Sequence, residues 1–136
     1  MRLFLTAALF FSLVSPLFSE SGGIKTAPQK LPRLVDLGAK KCVPCKMMAP
    51  VLDGLSKDFA GVMDVEFIDV WEKENEKKAE AYKISSIPTQ IFLSPDGKEL
   101  WRHEGFISRD DILEKWKSLG YDINPPKGAP AGGGLK

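Results

Sequence analysis

The stretch Leu34-Val35-Asp36-Leu37-Gly38-Ala39-Lys40-Lys41-Cys42-Val43-Pro44-Cys45-Lys46-Met47-Met48 decides the fold. Its first four residues form a short apolar run interrupted by one acid, which reads as a strand. From Cys45 onward, Cys45, Met48, Leu52, Leu55 and Phe59 recur at spacings of 3, 4, 3 and 4, the inward stripe of an amphipathic helix. Pro50 falls inside that stripe and is expected to kink the helix rather than end it, because the stripe continues beyond it; Gly61 closes it. The two cysteines therefore sit where a strand and loop meet the N-terminus of a long helix, and their spacing lets both sulfurs approach across one turn. A helix N-terminus supplies about half a positive charge and free N–H groups, which favour a thiolate on Cys42. Cys45, one turn in and on the apolar stripe, is expected to be buried and to stay a thiol until needed. Pro44 suits the first helical turn, where no N–H is required.

Several readings compete for such a pair. A structural disulfide would close a loop of only a few residues and stabilise little. Metal binding lacks ligands: with 2 Cys and 1 His in the chain, a four-ligand site would need a carboxylate to complete it. Covalent haem attachment needs His directly after Cys45, where Lys46 stands. Copper handling would add His or Met ligands beside the pair, and Met47 and Met48 read more simply as core residues. A C-x-x-C between a strand and a helix in a β-α-β setting is a redox signature, so redox chemistry is expected, with no metal and no cofactor.

Downstream, residues 62–70 alternate or run apolar through Val65, Phe67, Ile68 and Val70 and read as a strand. Residues 72–82 are highly charged with Ala79, Ala81 and Tyr82, a solvated helix whose Lys73, Glu74, Glu76, Lys77 and Lys78 face water. Thr89 to Leu93 is a third strand. Ser94-Pro95-Asp96-Gly97 is a turn in which Pro presets φ and Gly accepts a positive φ, and residues 99–103 return antiparallel. Ser108 caps a last helix, with Asp110 and Asp111 in its first turn and Ile112, Leu113, Trp116 and Leu119 inward. His103 reads as a surface residue without a partner, and Trp71 and Trp101 as packing or groove-rim residues. The order β-α-β-α-β-β-α implies one parallel pair and an antiparallel hairpin, hence an α/β fold with a mixed sheet of about four strands flanked by helices.

The composition is compatible with this and leaves a compact domain with a single cysteine pair. The 136 residues are 43% apolar and 27% charged with net charge +1, which suits one small domain and implies no electrostatic footprint for nucleic acid. Residues 1–21 begin with the cation Arg2, run apolar from Leu3 to Val14 apart from Thr6 and Ser12, and break at Pro16 before small residues. That is the layout of a secretory signal peptide, with cleavage expected after Ser21 or, alternatively, Ser19; a membrane role is expected only if the segment stays uncleaved. Residues 22–32 read as a linker, 33–121 as the domain and 122–136 as a Pro/Gly/Ala-rich disordered tail. Export would place the Cys pair where disulfides persist.

The chain resembles the thioredoxin family, and specifically its small exported members, over about residues 32–120. The resemblance rests on Asp36 six residues before Cys42, the CVPC motif, Lys46, Pro50, Ile87-Pro88-Thr89 before the third strand, and Gly105 after the fourth. It implies a thioredoxin-like fold with the N-terminal strand and helix reduced, since the lead-in before Leu34 is short. It also implies a cis Pro88 facing the disulfide across a substrate groove, and Ile87 as a backbone partner for an extended peptide. Val43, Pro44, Ile87 and Pro88 are the expected substrate-contacting residues. The family usually has Trp where Lys41 stands and Gly-Pro where Val43-Pro44 stands; a cation there favours the Cys42 thiolate further and makes the couple less reducing. Asp36 within an apolar strand is either a solvated acid or, as the family spacing implies, a proton acceptor with a raised pKa serving Cys45 through water.

The expectation is an exported, periplasmic or secreted thiol–disulfide oxidoreductase, monomeric, that reduces protein disulfides through Cys42 and Cys45 with Asp36 handling the proton. Such a protein needs a reductant, and a membrane electron-transfer relay is the expected partner. The resemblance suggests cytochrome c maturation components or misoxidised secreted proteins as substrates. A disulfide-forming oxidase using the same site and a non-catalytic binding module are the alternatives.

Overall fold

The run Arg33–Gly38 forms strand β1, and every residue from Leu34 to Gly38 is buried. A continuous buried run belongs to an interior strand covered on both faces. β1 pairs in parallel with β2 (Asp64–Asp69), from Arg33 opposite Asp64 to Gly38 opposite Asp69. It pairs antiparallel with β3 (Thr89–Leu93), which in turn pairs antiparallel with β4 (Glu99–Glu104). The sheet order is β2-β1-β3-β4, so the chain is α/β with a mixed four-stranded sheet, as its element order implies. The structure is a computed structural model that describes residues 30–126. The signal segment 1–21, most of the 22–32 linker and most of the 122–136 tail lie outside the described residues.

Alternation along the strands divides the core in two. Leu34 and Phe92 face helix α1 (Val43–Asp58) and helix α3 (Arg109–Ser118), meeting Met48, Leu52, Leu55, Phe59, Ile112 and Trp116. Val35, Leu37, Ile68, Ile91 and Leu93 face the other way, where Ala79 and Tyr82 of helix α2 (Glu76–Tyr82) cover them. Trp116 is fully buried, with its ring 4.9 Å from Phe92 and 5.4 Å from Tyr121. Each such side chain contributes about 1.5–3 kcal/mol by leaving water. That packing presses α1 against the sheet and fixes where its N-terminus stands over β1.

Several expectations shift. β2 begins at Asp64 rather than Val62, because Val62 and Met63 bond back to Phe59 in the turn that ends α1. The charged segment 72–82 is not one helix: a 3₁₀ turn, Lys73–Asn75, precedes α2, since Asn75 donates its side-chain amide to the Asp69 carbonyl at 3.0 Å and holds the turn to the strand end. Met47 is 53% exposed while Met48 is fully buried, so only one of the two is core; neighbouring helical positions point about 100° apart. Trp101 packs, 5.2 Å from Phe92 and under the Lys115 ammonium, whereas Trp71 is 62% exposed. His103 is half-buried, with Nε2 3.2 Å from the Phe106 carbonyl oxygen and its ring 5.8 Å from Trp101; it has the partners its sequence position does not reveal. Pro50 lies within a helix that runs on to Asp58, and Ser108 caps α3 by accepting from the Asp111 N–H.

Candidate active site

Cys42 is the N-cap of α1, extended at φ −81° and ψ 127°. In that position its sulfur takes the place of a capping oxygen, accepting from the Cys45 N–H at 3.3 Å. No acidic side chain occupies the first turn of α1, so nothing competes there for the partial positive charge of the helix end. Cys42 and Cys45 are joined as a disulfide with Cα atoms 5.2 Å apart. Cys42 is 9% exposed and Cys45 4%, the more open residue being the one at the helix terminus. Val43, at 71% exposed, and Pro44 stand outside the disulfide.

The loop across from the pair is Ser86-Ile87-Pro88-Thr89. The Ile87–Pro88 peptide bond is cis. Ile87 is half-buried against the cluster of Ala39, Cys42 and Cys45, and among the described residues no backbone hydrogen bond engages its N–H or carbonyl. Pro88 is buried, and its carbonyl accepts from the Gly105 N–H at 2.8 Å. Thr89 ties the loop by donating to the Ser86 carbonyl at 2.7 Å.

Asp36 is fully buried in β1. It shares a sheet face with Leu34 and Gly38, because side chains two apart on a strand point the same way. Gly38 shows how close the helix stands: a Cβ there would come 3.2 Å from Cys45 Cβ and 3.3 Å from Cys45 Sγ. Gln90 Nε2 donates to Asp36 Oδ1 at 2.6 Å, while Asp36 Oδ2 has no hydrogen-bond partner among the described residues. Burial pushes the Asp36 carboxyl up to about 6, and the Gln90 hydrogen bond acts in the opposite direction. A cavity of about 280 Å³, walled by Ala39, Cys45, Ala49, Leu52 and Phe67, reaches Cys45 from the α1 side.

Three residues with parts in this arrangement escape sequence reasoning. Gly38 permits the close approach of α1, and a glycine at a strand end just before the cysteines is the signal for it. Gln90 is the polar member of an otherwise apolar strand run. Asp69, 6% exposed, accepts from the backbone N–H groups of Lys40 at 3.2 Å and Trp71 at 3.0 Å. It thereby ties the segment leading to Cys42 to the loop that carries Trp71. Lys40 is not a free cation, since its ammonium stands 3.3 Å from Glu72.

Residues 24–118 match the family model described as Thioredoxin. A curated thioredoxin of Staphylococcus aureus is 40% identical over 82 residues, 60% of this chain and 76% of that protein. Among solved structures, chloroplastic thioredoxin z is 28% identical with a TM-score of 0.58, covering 68% of this chain and 80% of that one. Fasciola hepatica thioredoxin is 29% identical with a TM-score of 0.57, covering 68% and 84%.

Proposed function

Because the chain belongs to the thioredoxin family and is a thiol–disulfide oxidoreductase acting on protein disulfides, we propose that it runs in the reducing direction, outside the cytoplasm, with Asp36 as the proton acceptor for Cys45. The observation that supports the exchange chemistry is a sulfur capping a helix, a second sulfur one turn in, and a buried carboxyl, pushed up to about 6 by burial, on the strand whose Gly38 faces Cys45. In the reduced protein the helix end favours the Cys42 thiolate. That thiolate attacks a substrate disulfide, forms a mixed disulfide and releases one substrate thiolate. Cys45 then gives its proton to Asp36 through water and attacks Cys42 Sγ. The mixed disulfide breaks, the second substrate thiolate leaves, and two electrons have passed to the substrate. Val43 and the unpaired backbone of Ile87 flank the pair and suit an extended substrate segment.

The oxidised protein must then be reduced again, and an exported protein draws those electrons from a membrane relay. Residues 1–21 support export by their signal-peptide layout. Equilibration with a glutathione buffer tests the direction: a potential near about −270 mV supports the reductant, and one near about −120 mV replaces it with the disulfide-forming oxidase that Lys41 favours. Fractionation of host cells tests the compartment, since a full-length chain held in the cytosol would remove the export half of the proposal.

A further inference from the structure

Gln90 is as buried as Asp36, at 0% exposed. A primary amide in an apolar strand costs free energy unless it is hydrogen-bonded, yet its Oε1 has no partner among the described residues. Among the described residues its one side-chain bond is the 2.6 Å donation to Asp36 Oδ1. The pairing registers set Phe67, Asp36, Gln90 and His103 side by side across β2, β1, β3 and β4. On one side of Asp36 stands an aromatic ring; on the other stands the amide. The α1 groups packed on this face are Cys45, Met48 and Leu52, and α3 contributes Ile112 and Trp116. His103, one strand beyond Gln90, is turned to the Phe106 carbonyl. The charged groups around this face are Asp69 of β2, opposite Gly38, which accepts from the Lys40 and Trp71 N–H groups, Lys40 itself, paired with Glu72, and Lys46 and Asp53 of α1, which line the cavity beside Phe67. Gln90 is thus the hydrogen-bond partner of the Asp36 carboxyl among the described residues.

We propose that Gln90 is a positioning residue for Asp36: it occupies Oδ1, leaves Oδ2 as the oxygen that takes up the proton of Cys45, and sets the pH at which the carboxyl works. This rests on the reading of Asp36 as the acceptor for Cys45. A donor at Oδ1 stabilises the carboxylate over the acid, and it opposes the desolvation that raises Asp36 to about 6. The electron balance of the exchange is unchanged; only the protonation state of the acceptor moves.

The test uses Gln90→Met, with Gln90→Leu as a second apolar variant should the first fold poorly. In the oxidised protein, the carboxyl carbon of Asp36 is titrated by NMR. Its midpoint should rise by about one to two pH units on loss of the amide donor. In the reduced protein, stopped-flow reaction with 5,5′-dithiobis(2-nitrobenzoate) releases one thiolate as Cys42 attacks and a second as Cys45 resolves. The pH profile of the second phase should move up by the same amount while the first phase keeps its profile. On an Asp36→Asn background, Gln90→Met should move neither. An unmoved NMR midpoint in a folded variant overturns the proposal, as does an equal displacement of the second phase with and without Asp36. A parent protein that shows neither phase removes the exchange chemistry instead, and the NMR midpoint still decides what Gln90 does.

Discussion

Asp36→Asn isolates the free-energy cost of keeping a carboxylate buried in the sheet. The folded protein holds this carboxyl at about 6 against an ordinary 3.8, with burial the larger cause and the Gln90 hydrogen bond opposing it. Between those two values the folded state keeps its proton while the unfolded chain has lost it. Stability therefore falls as pH rises across that window and levels off above it. At about 1.4 kcal/mol per pH unit the penalty is roughly 3 kcal/mol above neutrality. Asparagine has the shape of the protonated acid, can still accept from Gln90 Nε2, and does not ionise. The variant should match the parent below about pH 4 and exceed it by up to roughly 3 kcal/mol at pH 8.

Urea unfolding of the oxidised proteins, followed by tryptophan fluorescence from pH 3.5 to pH 8, measures this difference. Titrations elsewhere in the chain cancel between parent and variant. With a slope of about 1–3 kcal/mol per M for small domains, the midpoints should separate by roughly 1–3 M at the alkaline end and converge at the acid end. A constant separation at every pH would mean that the Asp36 carboxyl ionises normally, and a parent more stable than the variant at pH 8 would mean that its charge is compensated. Either result refutes the desolvation argument.

Three further outcomes follow from the same geometry. One equivalent of iodoacetamide on the reduced protein at neutral pH should label Cys42 well ahead of Cys45, read by peptide mass mapping, because only Cys42 sits at the helix end. Gly38→Ala should cost about 1–3 kcal/mol in urea unfolding, since its methyl group would meet Cys45 and the Phe67 ring at close range; unchanged stability and exchange rate would show that α1 has room to shift. Cys45→Ser should accumulate mixed disulfides with substrate proteins, visible as higher bands on non-reducing gels that collapse with dithiothreitol, and adding Cys42→Ser should abolish them.

The parts of this site that are contiguous in the chain could be read from the chain. The cysteine pair, the stripe Cys45, Met48, Leu52, Leu55 and Phe59, and the cap at Ser108 all depend on spacings within one element, where local geometry fixes which residues meet. The misread details lie where a contact between one element and the turn or strand end beside it intervenes. Asn75 breaks the charged helix because it reaches back to Asp69, and His103 finds the Phe106 carbonyl around the Gly105 turn. Met47 is a different error, since the stripe that selects Met48 already turns its neighbour outward. Asp36 stands between these cases. Its burial could be suspected from the apolar run around it, but its surroundings come from β2 and β3, and Gln90 lies 54 residues away.

A carboxyl's working pH is therefore a property of the assembled sheet rather than of any motif. The cysteine pair supplies sulfur chemistry wherever a helix begins, but the proton traffic beneath it depends on which residues the neighbouring strands place opposite Asp36. Here these are an apolar ring and a neutral amide. A lysine at position 67 would put a cation beside the carboxyl, lower its pKa and stabilise the charged form. Phe67 brings no cation, and burial holds the carboxyl at about 6. Phe67→Lys should accordingly lower the Asp36 midpoint and reduce the alkaline stability penalty together. If the midpoint falls while the penalty stays, the cost at high pH arises from another group.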